Sequence, residues 1–281
     1  MGAYRASYVV TIHDLTPLVF PEFYTSKYSY YASKATKISA RTADYIITPS
    51  EWTKMDIVRM LGVSPGKVRV THEGVSDRFT MLYRDQSLKS LYDKYGVKEG
   101  FVLFVGRLER KKNVEALIKS LRILMDRDKF ESQLVLVGGR TWIHKEILDC
   151  VRQNRVEERI VFVADAGHEE LPLFYSAASV FVLPSLHEGF GLPILEAMAC
   201  GTPVVTSNVS SMPEVAGNAA VLVNPHDPES IAEGLRVALF DSARRDELVS
   251  RGLERVKGFT WEATARKTFE VYEECINDRR S

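Results

Sequence analysis

The chain has 281 residues, 45% of them hydrophobic and 26% charged, with 37 basic side chains balanced by 37 acidic ones. This is the composition of an ordered globular protein with one large or two modest cores, and zero net charge without a basic, aromatic-interleaved block argues against a nucleic-acid partner. Cys150, Cys200 and Cys275 are too few and too dispersed for a zinc cluster and read as packing residues. No apolar run approaches the ~20 residues of a membrane span.

The first predicted strand, Tyr8–Ile12, runs directly into His13-Asp14. The carboxyl end of a strand is where parallel α/β sheets place their chemistry, which makes His13 a candidate site residue. Beyond it, Tyr24, Tyr28, Tyr31 and Ile38 follow a helical stripe, while Lys34, Lys37 and Arg41 share another face. The expectation is a packed tyrosine stripe with a solvated basic face; peripheral contact with an anionic membrane is the competing reading. A second strand is predicted at Tyr45–Thr48, then a helix capped by Ser50 and closed by Gly62, then a third strand at Val68–Thr71. Three strands are few for an open doubly wound domain, so residues 1–79 are expected to form a partial domain. Its bare edge should favour a homo-oligomer or a complementing chain.

From Phe101 onward, short apolar runs alternate with helical patterns, the signature of a complete parallel doubly wound sheet. The strands are Phe101–Val105, Gln133–Val137, Ile160–Val163, Val180–Leu183, Pro203–Thr206 and Ala220–Val223. A helix at Val114–Met125 buries Leu117, Leu121 and Leu124 behind Asn113 as its expected N-cap. Gly106-Arg107, Gly138-Gly139 and the segment from Pro184 each follow a strand directly, so they gather at one sheet edge. Arg107 and Lys112 precede a helix whose positive dipole end opposes them, a conflict that a bound anion resolves. His144, His168, His187 and His226 lack metal-ligand spacing and read as surface positions.

The segment Ser185 to Val205 places two carboxylates, Glu188 and Glu196, around Gly189-Phe190-Gly191-Leu192 and the start of a helix. The glycines allow close backbone approach, and the helix end with its unpaired N–H groups favours phosphate. Carboxylates only accept hydrogen bonds and so suit sugar or ribose hydroxyls. Amides for a diphosphate together with acids for sugars describe a nucleotide-sugar site.

These motifs, in this order, resemble the retaining glycosyltransferases of family 4, built on the two-domain GT-B plan. The resemblance rests on the Glu-x7-Glu phrase, on Phe101-Val-Leu-Phe-Val-Gly-Arg-Leu108 with Lys111-Lys112-Asn113, and on Tyr8-Val-Val-Thr-Ile-His-Asp14. It implies that Glu188 contacts the donor sugar and Glu196 the ribose, that Arg107 and Lys112 bind the diphosphate, and that His13 lies beside the sugar. Gly106 and the backbone from Gly189 to Leu192 complete the donor site. The implied architecture is α/β: a partial amino-terminal Rossmann-like domain (1–79), a donor-binding Rossmann-like domain (80–258) and a carboxyl-terminal helix (259–281) crossing back to the first domain. The implied activity is metal-independent, retaining transfer from a GDP- or UDP-linked sugar to a glycan or lipid-linked acceptor, with no cofactor. His13-Asp-Leu-Thr-Pro and Tyr45-Ile-Ile-Thr-Pro-Ser-Glu-Trp are similar to mannosyltransferases of surface-polysaccharide assembly. A cytoplasmic location, peripheral at the inner membrane face, goes with that resemblance.

Two stretches depart from the family pattern. Ala164 and Ala166 stand where a glycine and a valine approach the base, and His72-Glu73-Gly74-Val75-Ser76 stands where Pro-Asn-Gly-Val-Asp precedes the hinge. The alternative reading is a catalytically incomplete nucleotide-sugar-binding fragment, or a subunit of a split transferase; phosphorylases and epimerases of the same plan fit the phrase less well.

Overall fold

The computed structural model describes residues 6–139 and 145–278. In chain order the elements are β1 (Val9–Thr11), α1 (Thr16–Val19), α2 (Ser26–Thr42), β2 (Tyr45–Thr48), α3 (Glu51–Leu61), β3 (Val68–Val70), α4 (Arg84–Tyr95) and β4 (Val102–Val105). They continue through α5 (Val114–Asp128), β5 (Leu134–Val137), α6 (Lys145–Asn154), β6 (Ile160–Val163), α7 (Leu171–Ala177), β7 (Val180–Leu183) and α8 (Leu192–Ala199). The chain then forms β8 (Val204–Ser207), α9 (Met212–Ala216), β9 (Ala220–Val223), α10 (Pro228–Phe240), α11 (Ser242–Val256) and α12 (Trp261–Asn277).

Two compact units result. The first comprises Met1–Gly74, Glu188–Phe190 and Phe259–Ser281; the second comprises Val75–His187 and Gly191–Gly258. The division falls at Gly74/Val75, where the sequence places it after Phe79, and it assigns three residues of the Glu-x7-Glu phrase to the first unit.

The first unit has a parallel sheet ordered β1-β2-β3. One side is packed by Ile12, Leu15, Ala40, Ile46, Ile57 and Val68. The other is covered by α12, where Val271 and Cys275 meet Tyr45 and Ile47. With both faces of β2 covered, all four of its residues are buried, as a central parallel strand requires. Ser50 caps α3 by accepting from the Thr53 N–H at 3.1 Å, and Gly62 ends that helix in the left-handed region at φ 66°. Thr260 caps α12 in the same way, accepting from Ala263 N–H at 3.1 Å.

The second unit has a six-stranded sheet ordered β6-β5-β4-β7-β8-β9, all neighbours parallel. Numbered within the unit this is 3-2-1-4-5-6, the Rossmann order, with its topological switch point between β4 and β7. Phe101, Leu103, Val135, Phe181 and Val205 are fully buried at its centre. Each strand begins and ends within one residue of its expected position, because continuous apolar runs bounded by glycine and proline leave little choice of span.

Gly74 lies against the start of α12: a β-carbon there would stand 2.3 Å from the Trp261 nitrogen and 2.5 Å from the Thr260 carbonyl carbon. Backbone cannot yield as a flexible side chain does, so Gly74→Ala should cost about 1–3 kcal/mol, like other overpacked sites. In thermal unfolding that corresponds to a fall of several degrees, about 2–4 °C per kcal/mol for a chain of this size class. Gly66→Ala, whose nearest neighbour would be the Ser64 hydroxyl at 3.7 Å, should leave the midpoint unchanged. Equal behaviour of the two variants would mean that the start of α12 is not held at Gly74.

Candidate functional site

The loops at the carboxyl edge of the second sheet are fastened to one another. A β-carbon on Gly138, just after β5, would lie 2.1 Å from the Gly106 carbonyl oxygen, just after β4. Leu186 N–H, beyond β7, donates to the Lys111 carbonyl at 2.8 Å. Asn113 lies at the N-cap position of α5 but does not cap it: its backbone is left-handed (φ 58°) and its side chain makes no cap bond. Its amide donates instead to the Pro184 carbonyl at 3.1 Å and the Pro225 carbonyl at 2.6 Å, tying the loops after β4, β7 and β9. The expected capping role is therefore corrected. An amide N–H₂ has two donors, and two buried proline carbonyls consume them.

Lys112 and Arg107 stand at this edge. The Lys112 stem passes over Gly106, its Cε 3.7 Å from where a β-carbon there would be. The Arg107 side chain is 70% exposed, and its only charged partner among the described residues is Glu109 at 3.5 Å. So long and exposed a pair contributes little, leaving the guanidinium available to a stronger anion. Gly191 sits before α8 at φ 106°, a conformation that favours glycine. Pro193 has no N–H, and Ile194 N–H bonds the Gly191 carbonyl at 2.9 Å, so the amides this helix start can offer an anion are those of Gly191 and Leu192.

Glu196, in the middle of α8, is half-buried, and its Oε2 accepts from the fully buried Tyr175 hydroxyl at 2.7 Å. Burial pushes its carboxyl pKa above the ordinary range, while the Tyr175 hydrogen bond and the charges of His168 and Arg78 pull it back. The same burial holds the Tyr175 phenol well above its ordinary value. Tyr175 gives no sequence signal, lying twenty-one positions from its partner in a mostly apolar helix.

The remaining predicted residues lie in the first unit. His13 is exposed, and its Nδ1 is 3.0 Å from Glu73 Oε1. Glu188 is buried, at 6% exposure, and so is not a loop acid reaching into solvent. Gly189 and Phe190, expected with the second domain, pack within the first unit instead. The Gly189 carbonyl accepts from the hydroxyls of Ser50 at 2.7 Å and Thr53 at 3.1 Å, and the Phe190 ring stacks on His72 with centroids 5.9 Å apart. A β-carbon on Gly189 would stand 2.0 Å from the His13 carbonyl oxygen, which explains the glycine by close approach rather than by a turn.

Other expectations divide. Cys150, Cys200 and Cys275 are buried free thiols, as expected. His187 is buried at 4% exposure and is not a surface residue, whereas His168 and His226 are exposed; His144 lies outside the described residues. The tyrosine stripe is not packed: Tyr28, Tyr31 and Ile38 are 53–59% exposed, because α2 turns its small residues Ser29 and Ala40 inward. The only Asp-x-Asp triplet, Asp126-Arg127-Asp128, closes α5, and its acids pair with Arg122 and Arg127. No helix among the described residues is long and apolar enough to cross a membrane.

Comparison with known proteins agrees with this architecture. Residues 93–255 match the family described as Glycosyl transferases group 1, and residues 1–79 match Glycosyltransferase Family 4. The O-antigen chain mannosyltransferase B of Escherichia coli is 32% identical over 264 residues, covering 94% of this chain and 69% of that protein. The serotype-specific mannosyltransferase WbdA of the same species is 30% identical over 271 residues, but this chain spans only 33% of its length. Among solved structures, the sucrose-phosphate synthase of Thermosynechococcus elongatus superposes with a TM-score of 0.82 at 27% identity, over 98% of this chain and 69% of that one. Anabaena HepE in complex with UDP-glucose shares the fold at 20% identity, with a TM-score of 0.79 over 96% of this chain and 73% of that one. With a family match over more than half its length and two Rossmann-like units, this chain belongs to the group 1 glycosyl transferases and has the GT-B fold.

Proposed function

We propose that the protein is a retaining, metal-independent glycosyltransferase that moves mannose from GDP-mannose to a glycan or lipid-linked acceptor in surface-polysaccharide assembly. The observation that carries this reading is the fastened loop edge at the β4/β7 switch point, where Arg107 and Lys112 stand beside backbone that leaves no room for side chains. A nucleoside diphosphate suits that edge. Its phosphates would take Arg107, Lys112 and the amides of Gly191 and Leu192, and its ribose the free carboxylate oxygen of Glu196. Mannose is favoured by the relatives named as O-antigen mannosyltransferases. A UDP-sugar is the competitor, motivated by the UDP-glucose that Anabaena HepE binds.

In the proposed reaction the acceptor hydroxyl attacks the anomeric carbon on the face from which the diphosphate departs. The C–O bond to the leaving phosphate breaks, and a phosphate oxygen takes the acceptor's proton. Side-chain cations and a helix start oppose the charge developing on the leaving group, so electrostatic preorganisation does the work that a metal ion does elsewhere. Glu188 would orient the donor sugar and stabilise positive charge at its anomeric carbon. His13 would meet the sugar or its phosphate.

Arg107→Ala and Glu196→Ala should each weaken GDP binding roughly 10- to 150-fold, the loss of one hydrogen bond to a charged group. Arg107→Ala should leave thermal stability unchanged, whereas Glu196→Ala strands the buried Tyr175 hydroxyl and should cost about 1–3 kcal/mol. Isothermal calorimetry checks this, and unchanged affinity in both variants would remove the assignment. Glu188→Gln should behave in the opposite way: GDP affinity holds, while release of GDP from GDP-mannose is lost; His13→Ala should lose that release as well. Wild-type turnover in either variant would make that residue structural. Direct competition between GDP and UDP for the same sites should favour GDP, and the reverse ranking would replace mannose with a UDP-linked sugar.

A further inference from the structure

His13 and Glu73 follow β1 and β3 of the first unit, and their side chains meet with Nδ1 and Oε1 3.0 Å apart. An ionised carboxylate has no proton to give, so Nδ1 carries the hydrogen and donates it, leaving Nε2 as the nitrogen free for a ligand. Both residues are held by their backbones. The His13 carbonyl is pressed against Gly189, whose own carbonyl is fixed by Ser50 and Thr53. Glu73 is held from both sides. His72 before it forms a three-ring cluster with Phe190 and Phe259, its centroid 5.9 and 5.6 Å from theirs, and its carbonyl accepts from the Thr264 hydroxyl at 2.8 Å. Gly74 after it is pressed against the Trp261 backbone. Glu73 is also much less exposed than His13, with side-chain exposures of 18% and 71%. A sheltered acid behind an exposed imidazole is the arrangement of an orienting group behind a working one.

We propose that Glu73 is the positioning residue of His13, fixing its Nδ1–H tautomer and its ring so that Nε2 meets the donor's sugar-phosphate. This inference rests on the reading of His13 as a donor-facing group. The charges around the ring favour the protonated form: the Glu73 hydrogen bond and charge, with Asp14 beside them, raise the His13 pKa, and burial only partly opposes them. Glu188 stands in the same loop cluster, next to the glycine that packs on His13. A protonated ring offers Nε2–H to an anionic oxygen, as a leaving diphosphate requires. Because Glu73 raises the pKa, losing its charge shifts His13 deprotonation to lower pH.

The test is a nitrogen-resolved NMR titration of the His13 ring in the whole folded chain, as wild type, Glu73→Gln and Glu73→Ala, with and without GDP-mannose. Glutamine keeps an acceptor for Nδ1 but loses the charge, so the midpoint should fall while the Nδ1–H tautomer persists. Alanine removes both, so the midpoint should fall and the Nε2–H tautomer should appear. GDP-mannose should move the wild-type His13 signals, and the alanine variant's clearly less. Identical midpoints in all three proteins would overturn the pairing. Equal responses to GDP-mannose in all three would overturn the positioning role even if the midpoints differ. Calorimetry on the same samples separates the two levels: a chain that binds no GDP rejects the donor reading, and with it the use of the pair, while the midpoints still report whether the pair forms.

Discussion

In the second unit two stretches of backbone approach closely: no side chain fits between Gly138 and the Gly106 carbonyl, 2.1 Å from where a β-carbon would stand. That constraint draws the turns after β4 and β5 together at the sheet's carboxyl edge, and the Lys111 and Asn113 hydrogen bonds draw in the loops after β7 and β9. Arg107 and the Lys112 stem lie at this approach. A switch point alone provides a crevice; here its loops are also hydrogen-bonded to one another.

The electrostatic logic runs along the same edge. Two cations precede α5, whose dipole disfavours them, and the nearest counter-charge to Arg107 is a long exposed contact with Glu109. The arrangement is poor for stability and suited to an anion. Glu196 shows the complementary device: an acid kept half-buried, with one oxygen engaged by Tyr175. The first unit repeats the pattern with Glu73 behind His13. In both units a candidate site residue has a hydrogen-bonded partner.

Much of this was legible in the amino-acid order, and the reasons for the rest are specific. The strands could be read because buried parallel strands leave an apolar run between turn residues, and the Ser50 and Gly62 caps because capping is local. Asn113 misled because the residue type that caps helices also bridges carbonyls, and the choice was made by Pro184 and Pro225, 71 and 112 positions away. Tyr175 and Glu73 were invisible as partners for the same reason, although Glu73 did stand out as a departure from the family pattern. The stripe on α2 failed because periodicity shows that residues share a face without saying which face is buried. Gly189 and Phe190 joined the first unit through contacts with Ser50, Thr53 and His72 that sequence proximity to α8 conceals.

The central claim is that a nucleoside diphosphate binds the second unit at the β4/β7 switch point. A crystal structure of the chain with GDP tests it most directly. The account predicts phosphate oxygens within hydrogen-bonding distance of Arg107 and Lys112, about 2.7–3.2 Å, with the ribose hydroxyls on Glu196. GDP bound elsewhere on the chain, with Arg107, Lys112 and Glu196 untouched, would contradict it.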